Sequence, residues 1–309
     1  MTRLETKRVF ILGGGAALGA HQVGALRGLE EAGIRPDAIV GSSIGVINAC
    51  LYASGGVALM EEVWKDFRSL GKLRPSWKHN PLTGLSLLSV DPLAAVLEPR
   101  IDFQAVQASP LELSFILLNV SRGRGEFVSN RSVEGQAEMR KVVRAGYALP
   151  FFFPPVRFRG EWYADGGLAW NVPLLQAVEM GATEIYVLAL ASMALPFKHR
   201  FQSLPDYLGR LLDVLWAVIG NMGYSTTRIA PDGTYRGVPV TVIQPAEEHA
   251  GLDLIRMFTA TPARSRRLMT AGYRDAKREL ALARRRGART RARLDALAPV
   301  EPAYRNEVA

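Results

Sequence analysis

Residues 38–45, Ala38-Ile39-Val40-Gly41-Ser42-Ser43-Ile44-Gly45, pass from a short apolar run straight into a serine bracketed by glycines, and 46–53 continue with helical character. A brief uninterrupted apolar run reads as a strand buried on both faces, which requires helices packed above and below a sheet. The same grammar occurs earlier. There Val9-Phe10-Ile11-Leu12 breaks into Gly13-Gly14-Gly15-Ala16-Ala17-Leu18-Gly19, and a helix over 19–31 follows with Val23, Leu26, Leu29 and Ala32 in period and Gly33 as its C-cap. Alternation of this kind predicts an α/β fold. Further strands are expected at 113–120, 156–163, 185–191 and 238–243, with helices near 58–69, 134–145 and 173–180. Gly55-Gly56 should end the helix that begins at Val46. The stretch 70–92, rich in Pro, Gly, Ser and Lys, reads as a surface excursion or lid. After 191 the pattern turns helical, through 205–221 and 262–286, and the chain from 297 onward reads as a frayed tail.

Gly41-Ser42-Ser43-Ile44-Gly45 matches G-x-S-x-G in the strand-to-helix context that gives the pattern meaning. A β-carbon at Gly41 or Gly45 would collide with a neighbouring strand or helix. The tight turn then lifts the Ser43 hydroxyl above the sheet edge, at a helix N-terminus whose dipole favours developing negative charge. Such a serine needs a base, usually histidine. His21, His79, His199 and His249 are scattered, and none accompanies a structured motif. By contrast, Tyr163-Ala164-Asp165-Gly166-Gly167-Leu168 sets a carboxylate at a strand end, with two glycines that permit close approach to another loop. The consecutive glycines of 13–19 expose backbone N–H groups at a helix start, an anion site that could serve an oxyanion or a nucleotide phosphate.

The three elements, in this order, resemble the patatin-like phospholipase family. Similarity runs on through Ala145-Gly146-Tyr147-Ala148-Leu149-Pro150 to Phe153-Pro154-Pro155 and covers roughly 9–191. The resemblance implies a three-layer αβα sandwich with a mainly parallel central sheet, hydrolysing lipid acyl esters with a Ser-Asp dyad: Ser43 as nucleophile and Asp165 as base. Gly14, Gly15 and Ala16 would then supply oxyanion or substrate-binding N–H groups, supported by Gly13, Gly19, Gly41, Gly45, Gly166 and Gly167. Two positions depart from the family pattern, Ala16 for a glycine and Leu18 for an arginine. The Ala16 N–H can serve if its φ stays negative. Rival readings are a Ser-His-Asp esterase using His199 or His249, a dinucleotide-binding βαβ unit opening at Gly13-x-Gly15, and a non-catalytic lipid-binding protein that keeps the fold. The βαβ reading lacks the last glycine of its fingerprint, where Leu18 stands, and an acidic ribose ligand after the second strand.

Composition decides between partners. The net charge of +9 sits almost wholly between Arg264 and Arg293, where twelve basic residues face only Asp275 and Glu279. On a helix, Leu268, Ala271, Ala276, Leu280 and Ala283 supply a packed stripe and leave the arginines solvated; the sharper alternative is peripheral contact with an anionic membrane. Tyr273 is the one aromatic residue among the arginines and no helix-turn-helix signature accompanies them, so nucleic acid is not expected. The chain of 309 residues, 48% hydrophobic, suffices for a catalytic unit over 9–191 and a mostly helical extension over 192–309 packed on or continuing it. The lone Cys50 makes neither an intramolecular disulfide nor a Cys-based metal site, no metal or other cofactor is expected, and cytoplasm is the default compartment, with a peripheral position at a membrane surface as the variant. The apolar run 9–12 is too short for a signal peptide, 185–197 is too short to span a bilayer, and 208–222 is interrupted by Arg210 and Asp213. Phe151-Phe152-Phe153 is a candidate lining for an acyl pocket, with core packing as the alternative.

Overall fold

The computed structural model describes residues 6–68, 91–190, 229–245 and 259–297, plus positions 74–75, 86, 88–89, 200–203, 206–207, 210–211 and 214; in the last long stretch side chains are described as far as Arg285. Most of the excursion 70–92, most of the helix expected at 205–221, and His79, His199 and His249 lie outside the described residues.

The chain runs β1 (Arg8–Leu12), α1 (Ala20–Glu31), β2 (Ala38–Gly41), α2 (Ile44–Asp66), β3 (Arg74–Pro75), β4 (Leu88–Ser89), α3 (Asp91–Leu97) and α4 (Phe103–Ala108). It continues through β5 (Glu112–Asn119), β6 (Arg124–Ser129), α5 (Gly135–Gly146), β7 (Val156–Phe158), β8 (Glu161–Asp165), α6 (Leu174–Glu179), β9 (Glu184–Leu188), β10 (Thr234–Tyr235), β11 (Val238–Ile243) and α7 (Pro262–Leu297). The main sheet has the order β10-β11-β9-β1-β2-β5-β8-β7, parallel from β11 to β5, with β6 also on β5. Alternate residues of each strand feed two apolar layers. Phe10, Leu12, Ile39 and Phe115 pack with α1, α2 and α5, whereas Val9, Ile11, Val40 and Ile116 pack with Leu174 and Ala177 of α6. Helices therefore cover both faces, which accounts for the fully buried β1 and β2.

The register of β5 brings the site together. β2 pairs with 112–115 of β5 and β6 pairs with 114–119, so they take opposite edges of that strand. β8 pairs with 117–119, which β6 also occupies, so β8 must share the edge used by β2. Gly41 faces Phe115 and Asp165 faces Leu117. Where β2 turns away into α2, β8 takes over the same ladder and delivers Asp165 beside the turn.

Several local expectations change. The segment expected as one strand over 156–163 is the hairpin β7–β8, because Arg159 at φ 47° and Gly160 at φ 82° reverse the chain. Gly55-Gly56 interrupts α2 where the helix end was expected: both residues leave helical geometry, Gly56 at φ 65°, a conformation glycine adopts freely, and a second helical stretch follows across the kink to Asp66. β6, α3 and α4 were not expected at all. At the end of α1, Gly33 has φ 75°, with Ile34 N–H donating to the Leu29 carbonyl and Gly33 N–H to that of Glu30, a Schellman cap.

Among the described helices α2 alone has the length and apolar composition of a membrane span. In the fold it is a core helix, with Val46, Ile47, Ala49, Cys50 and Leu51 buried, and burial pushes the Cys50 thiol well above its ordinary pKa. The basic helix α7 lies along α1. Leu268, Met269, Ala276 and Leu280 are buried, while Arg266, Arg267, Arg274, Arg284 and Arg285 face solvent. β11 joins the sheet beside β9, so residues beyond 192 contribute a strand and a helix to the same core.

Candidate active site

Ser43 stands between β2 and α2 at φ 54°, ψ −124°, a backbone state that non-glycine residues hold only under strain. Its neighbours impose that state. A β-carbon on Gly45 would fall 2.0 Å from the Leu12 carbonyl oxygen of β1, and one on Gly41 2.9 Å from the Gly45 carbonyl oxygen. The turn is so tight that only glycine fits on either side of the serine pair.

Asp165, at the end of β8, is buried. Its Oδ1 accepts the Gly167 N–H at 2.8 Å, and Oδ2 has no hydrogen-bond partner among the described residues. Gly166 lies so close to β5 that a β-carbon there would sit 2.4 Å from the Ile116 carbonyl oxygen; one on Gly167 would sit 3.2 Å from Ser42 Oγ and 3.7 Å from Ser43 Cβ. The Asp165 turn thus packs directly on the serine turn. Burial pushes the Asp165 carboxyl up from 3.8 to about 7; the Ser43 hydroxyl, short of full hydrogen-bond geometry, and the Gly167 N–H pull the other way.

The glycine loop closes the third side. A β-carbon on Gly14 would lie 2.7 Å from Ser43 Cβ. The Gly14 N–H donates to Asn171 Oδ1 at 2.5 Å, which leaves Gly15, Ala16 and Ala17 as the loop residues whose N–H has no hydrogen bond among the described residues. Against the expectation of a negative φ, Ala16 sits at 47°, because the loop must turn there into the short helical turn Ala16–Gly19; the positive φ strains the β-carbon and leaves the N–H unbonded among the described residues, so the condition set on φ does not decide its use as a donor. A glycine costs nothing in that conformation. Ala16→Gly is expected to stabilise the fold by about 0.5–1 kcal/mol, read as a higher urea midpoint; a lower midpoint would show that Ala16 is unstrained.

A buried amide network holds this loop from behind. Gln22 Nε2 donates to the carbonyls of Gly13 and Leu188, at 2.8 and 3.0 Å. Asn48 Nδ2 donates to the Gly19 carbonyl and to Gln22 Oε1, and Asn48 Oδ1 accepts the Trp64 indole N–H at 2.9 Å. Every polar atom of both amides is satisfied, so the network fixes both ends of the loop. Gln22, Asn48, Trp64 and Asn171 were not anticipated; for Gln22 and Asn48 the one available signal was an amide among the apolar residues of a core helix.

Ser43 and Asp165 open on a pocket of about 600 Å³, part of it open to solvent, lined by Ala16, Ile44, Ile47, Trp64, Phe67, Leu93, Leu97, Leu149 and Phe153. Tyr147 also lines it, with its hydroxyl 3.3 Å from the buried Glu98 carboxylate and its pKa raised by burial, so the phenol stays neutral. Of the three phenylalanines, Phe153 lines the pocket, Phe152 is half-buried and Phe151 is exposed. His21 is buried elsewhere, with Nε2 hydrogen-bonded to Asp275 of α7 at 2.9 Å.

Known proteins are similar to this chain. The profile of a family described as Patatin-like phospholipase matches residues 10–178. Lysophospholipase nte1 of Aspergillus terreus is 31% identical over 215 residues, 68% of this chain and 13% of that protein. Lysophospholipase NTE1 of Phaeosphaeria nodorum is 28% identical over 227 residues, 72% of this chain and 14% of that protein. The chain therefore spans about one seventh of the length of these relatives. The crystal structure of VipD from Legionella pneumophila aligns with 91% of this chain and 68% of its own, at 14% identity and a TM-score of 0.49. The family match runs over more than half of the chain and takes in the glycine loop, the serine turn and the Asp165 turn alike: the chain belongs to the patatin-like phospholipase family.

Proposed function

We propose that the chain is a serine acyl-ester hydrolase acting on lipid esters, with Ser43 as nucleophile and Asp165 as its base. The observation that carries this reading is a buried carboxyl with one unpartnered oxygen beside a strained serine, both opening on an apolar pocket. Asp165 takes the Ser43 proton as Oγ attacks the ester carbonyl carbon. The new oxyanion meets the N–H groups of Gly15 and Ala16 and the N-terminus of α2. Gly14 serves the same loop through its bond to Asn171, which sets the loop's position. The proton passes from Asp165 to the departing alcohol, and water then cleaves the acyl-enzyme by the reverse sequence. Desolvation makes this work without histidine, because a carboxylate with a pKa near 7 is a far better base than a solvated one. Lysophospholipids are the first substrates to test, since the curated relatives are named lysophospholipases. The exposed arginines of α7 support peripheral contact with an anionic membrane as an accessory feature.

An ester series graded by acyl length tests the assignment. Turnover should rise with chain length until the pocket is filled and fall by a factor on the order of 10⁴ or more in Ser43→Ala. His199→Ala and His249→Ala should leave it intact. Unchanged hydrolysis by Ser43→Ala, or collapse in either histidine variant, would overturn the dyad.

A further inference from the structure

Phe151 is the most exposed large apolar side chain among the described residues, 75% accessible. It is also held at φ 69°, in the left-handed region that a bulky residue occupies only under strain. The turn demands it. Phe152 and Phe153 N–H both donate to the Leu149 carbonyl, at 3.2 and 2.9 Å, with Pro150 and Phe151 at the two corners. The second corner after proline, at positive φ, is a position that favours glycine. Backbone preference thus argues for glycine here and solvent exposure argues for a polar residue, yet the chain places a phenylalanine. The residues on either side explain where it points. Leu149 and Phe153 line the apolar pocket above Ser43, so the turn that carries Phe151 forms the pocket's outer rim.

We propose that Phe151 inserts into a lipid surface and seats the mouth of the pocket on it. The inference rests on the lipid-ester reading above. An acyl chain bound in the pocket comes from an aggregate, and an apolar ring carried on the turn whose Leu149 and Phe153 line the pocket lets the chain pass from one apolar phase to the other with little exposure to water. Strain at an exposed residue is then held for binding, at the expense of stability.

The test uses the full chain carrying Ser43→Ala, so that vesicles stay intact, in sedimentation with phosphatidylcholine vesicles. The Ser43→Ala protein should co-sediment. Adding Phe151→Ala or Phe151→Gly should weaken partitioning about tenfold, the order expected for withdrawing one aromatic ring from an apolar phase, while Phe151→Leu stays within about threefold. Phe151→Gly should also raise the urea midpoint while it weakens binding, a pair of signs that a merely structural phenylalanine does not give. With Ser43 present, Phe151→Gly should slow hydrolysis of vesicle-borne ester about tenfold and leave a soluble short-chain ester within about twofold. No vesicle binding by the full chain, equal binding by the Phe151 variants, or a concentration-dependent dimer abolished by Phe151→Gly would each overturn the proposal, the last by making a second copy the occupant. Phe151-dependent partitioning without hydrolysis of any ester would instead sink the hydrolase reading and leave the docking intact.

Discussion

Asp165→Asn is expected to give a protein that is inactive yet more stable than the parent above pH 7. The carboxyl is buried, with one unpartnered oxygen, and its pKa is raised to about 7 from an ordinary 3.8. Between about pH 4 and 7 the folded protein holds a proton there that the unfolded chain has lost, so stability falls as pH rises through this window. At about 1.4 kcal/mol per pH unit, the charged form costs on the order of 4 kcal/mol once the carboxyl is fully ionised. An asparagine fills the same space, can still accept the Gly167 N–H, and carries no charge. Urea unfolding at pH 5 and pH 8.5 should show a gain over the parent that is small at the lower pH and several kcal/mol at the higher. Catalysis runs the other way. As the proposed base, Asp165 must be ionised, so kcat/KM for the parent should climb about tenfold per unit below pH 7 and level off above it, and Asp165→Asn should retain at most about a thousandth of the plateau rate. A flat rate between pH 5 and 9, together with equal stabilities of the two proteins at both pH values, would show that Asp165 is neither desolvated nor the base.

That prediction depends on a proximity that nothing local in the sequence encodes. The serine turn and the Asp165 turn are each legible, because an apolar run ending in glycine is a local signal. Their meeting is tertiary: β8 takes over the edge of β5 that β2 has left. The same distinction explains the other differences. β7 and β8 read as one strand because Arg159-Gly160 lacks the Asn-Gly or Asp-Gly signature of a two-residue turn. β6, Arg-Gly-Glu-Phe-Val-Ser, has one buried residue, Val128, and so shows little apolar alternation. α3 and α4 are too short to establish a period. Gln22 and Asn48 gain their meaning from carbonyls that only the fold brings near. Ala16 shows the limit of a motif: the residue type suggested a negative φ, and the loop around it imposed the opposite.

The glycine pair Gly24 and Gly272 should be the least replaceable feature outside the site. A β-carbon on Gly24 of α1 would fall 1.8 Å from the Met269 carbonyl oxygen of α7, and one on Gly272 of α7 would fall 1.9 Å from the His21 carbonyl oxygen of α1. These contacts are backbone on backbone, so no side-chain rotation relieves them. Gly28 extends the approach one turn further, where a β-carbon would meet Ala276 Cβ at 3.0 Å, and the buried His21–Asp275 pair crosses the same seam. Accommodating even one methyl means moving α7 off α1 and opening the layer that holds Leu268, Met269 and Leu280. Gly24→Ala and Gly272→Ala are each expected to cost about 3–5 kcal/mol in urea unfolding, at the severe end for single substitutions. Arg284→Ala and Arg285→Ala, on the solvent face of the same helix, should stay within about 0.5 kcal/mol. Parent-like stability of either glycine variant would mean that the helices do not approach this closely. Removing the chain beyond Thr261 strips a face from α1, so loss of membrane affinity in such a truncation would reflect unfolding. Charge reversal at Arg284 and Arg285 keeps the seam intact and isolates the contribution of the basic face.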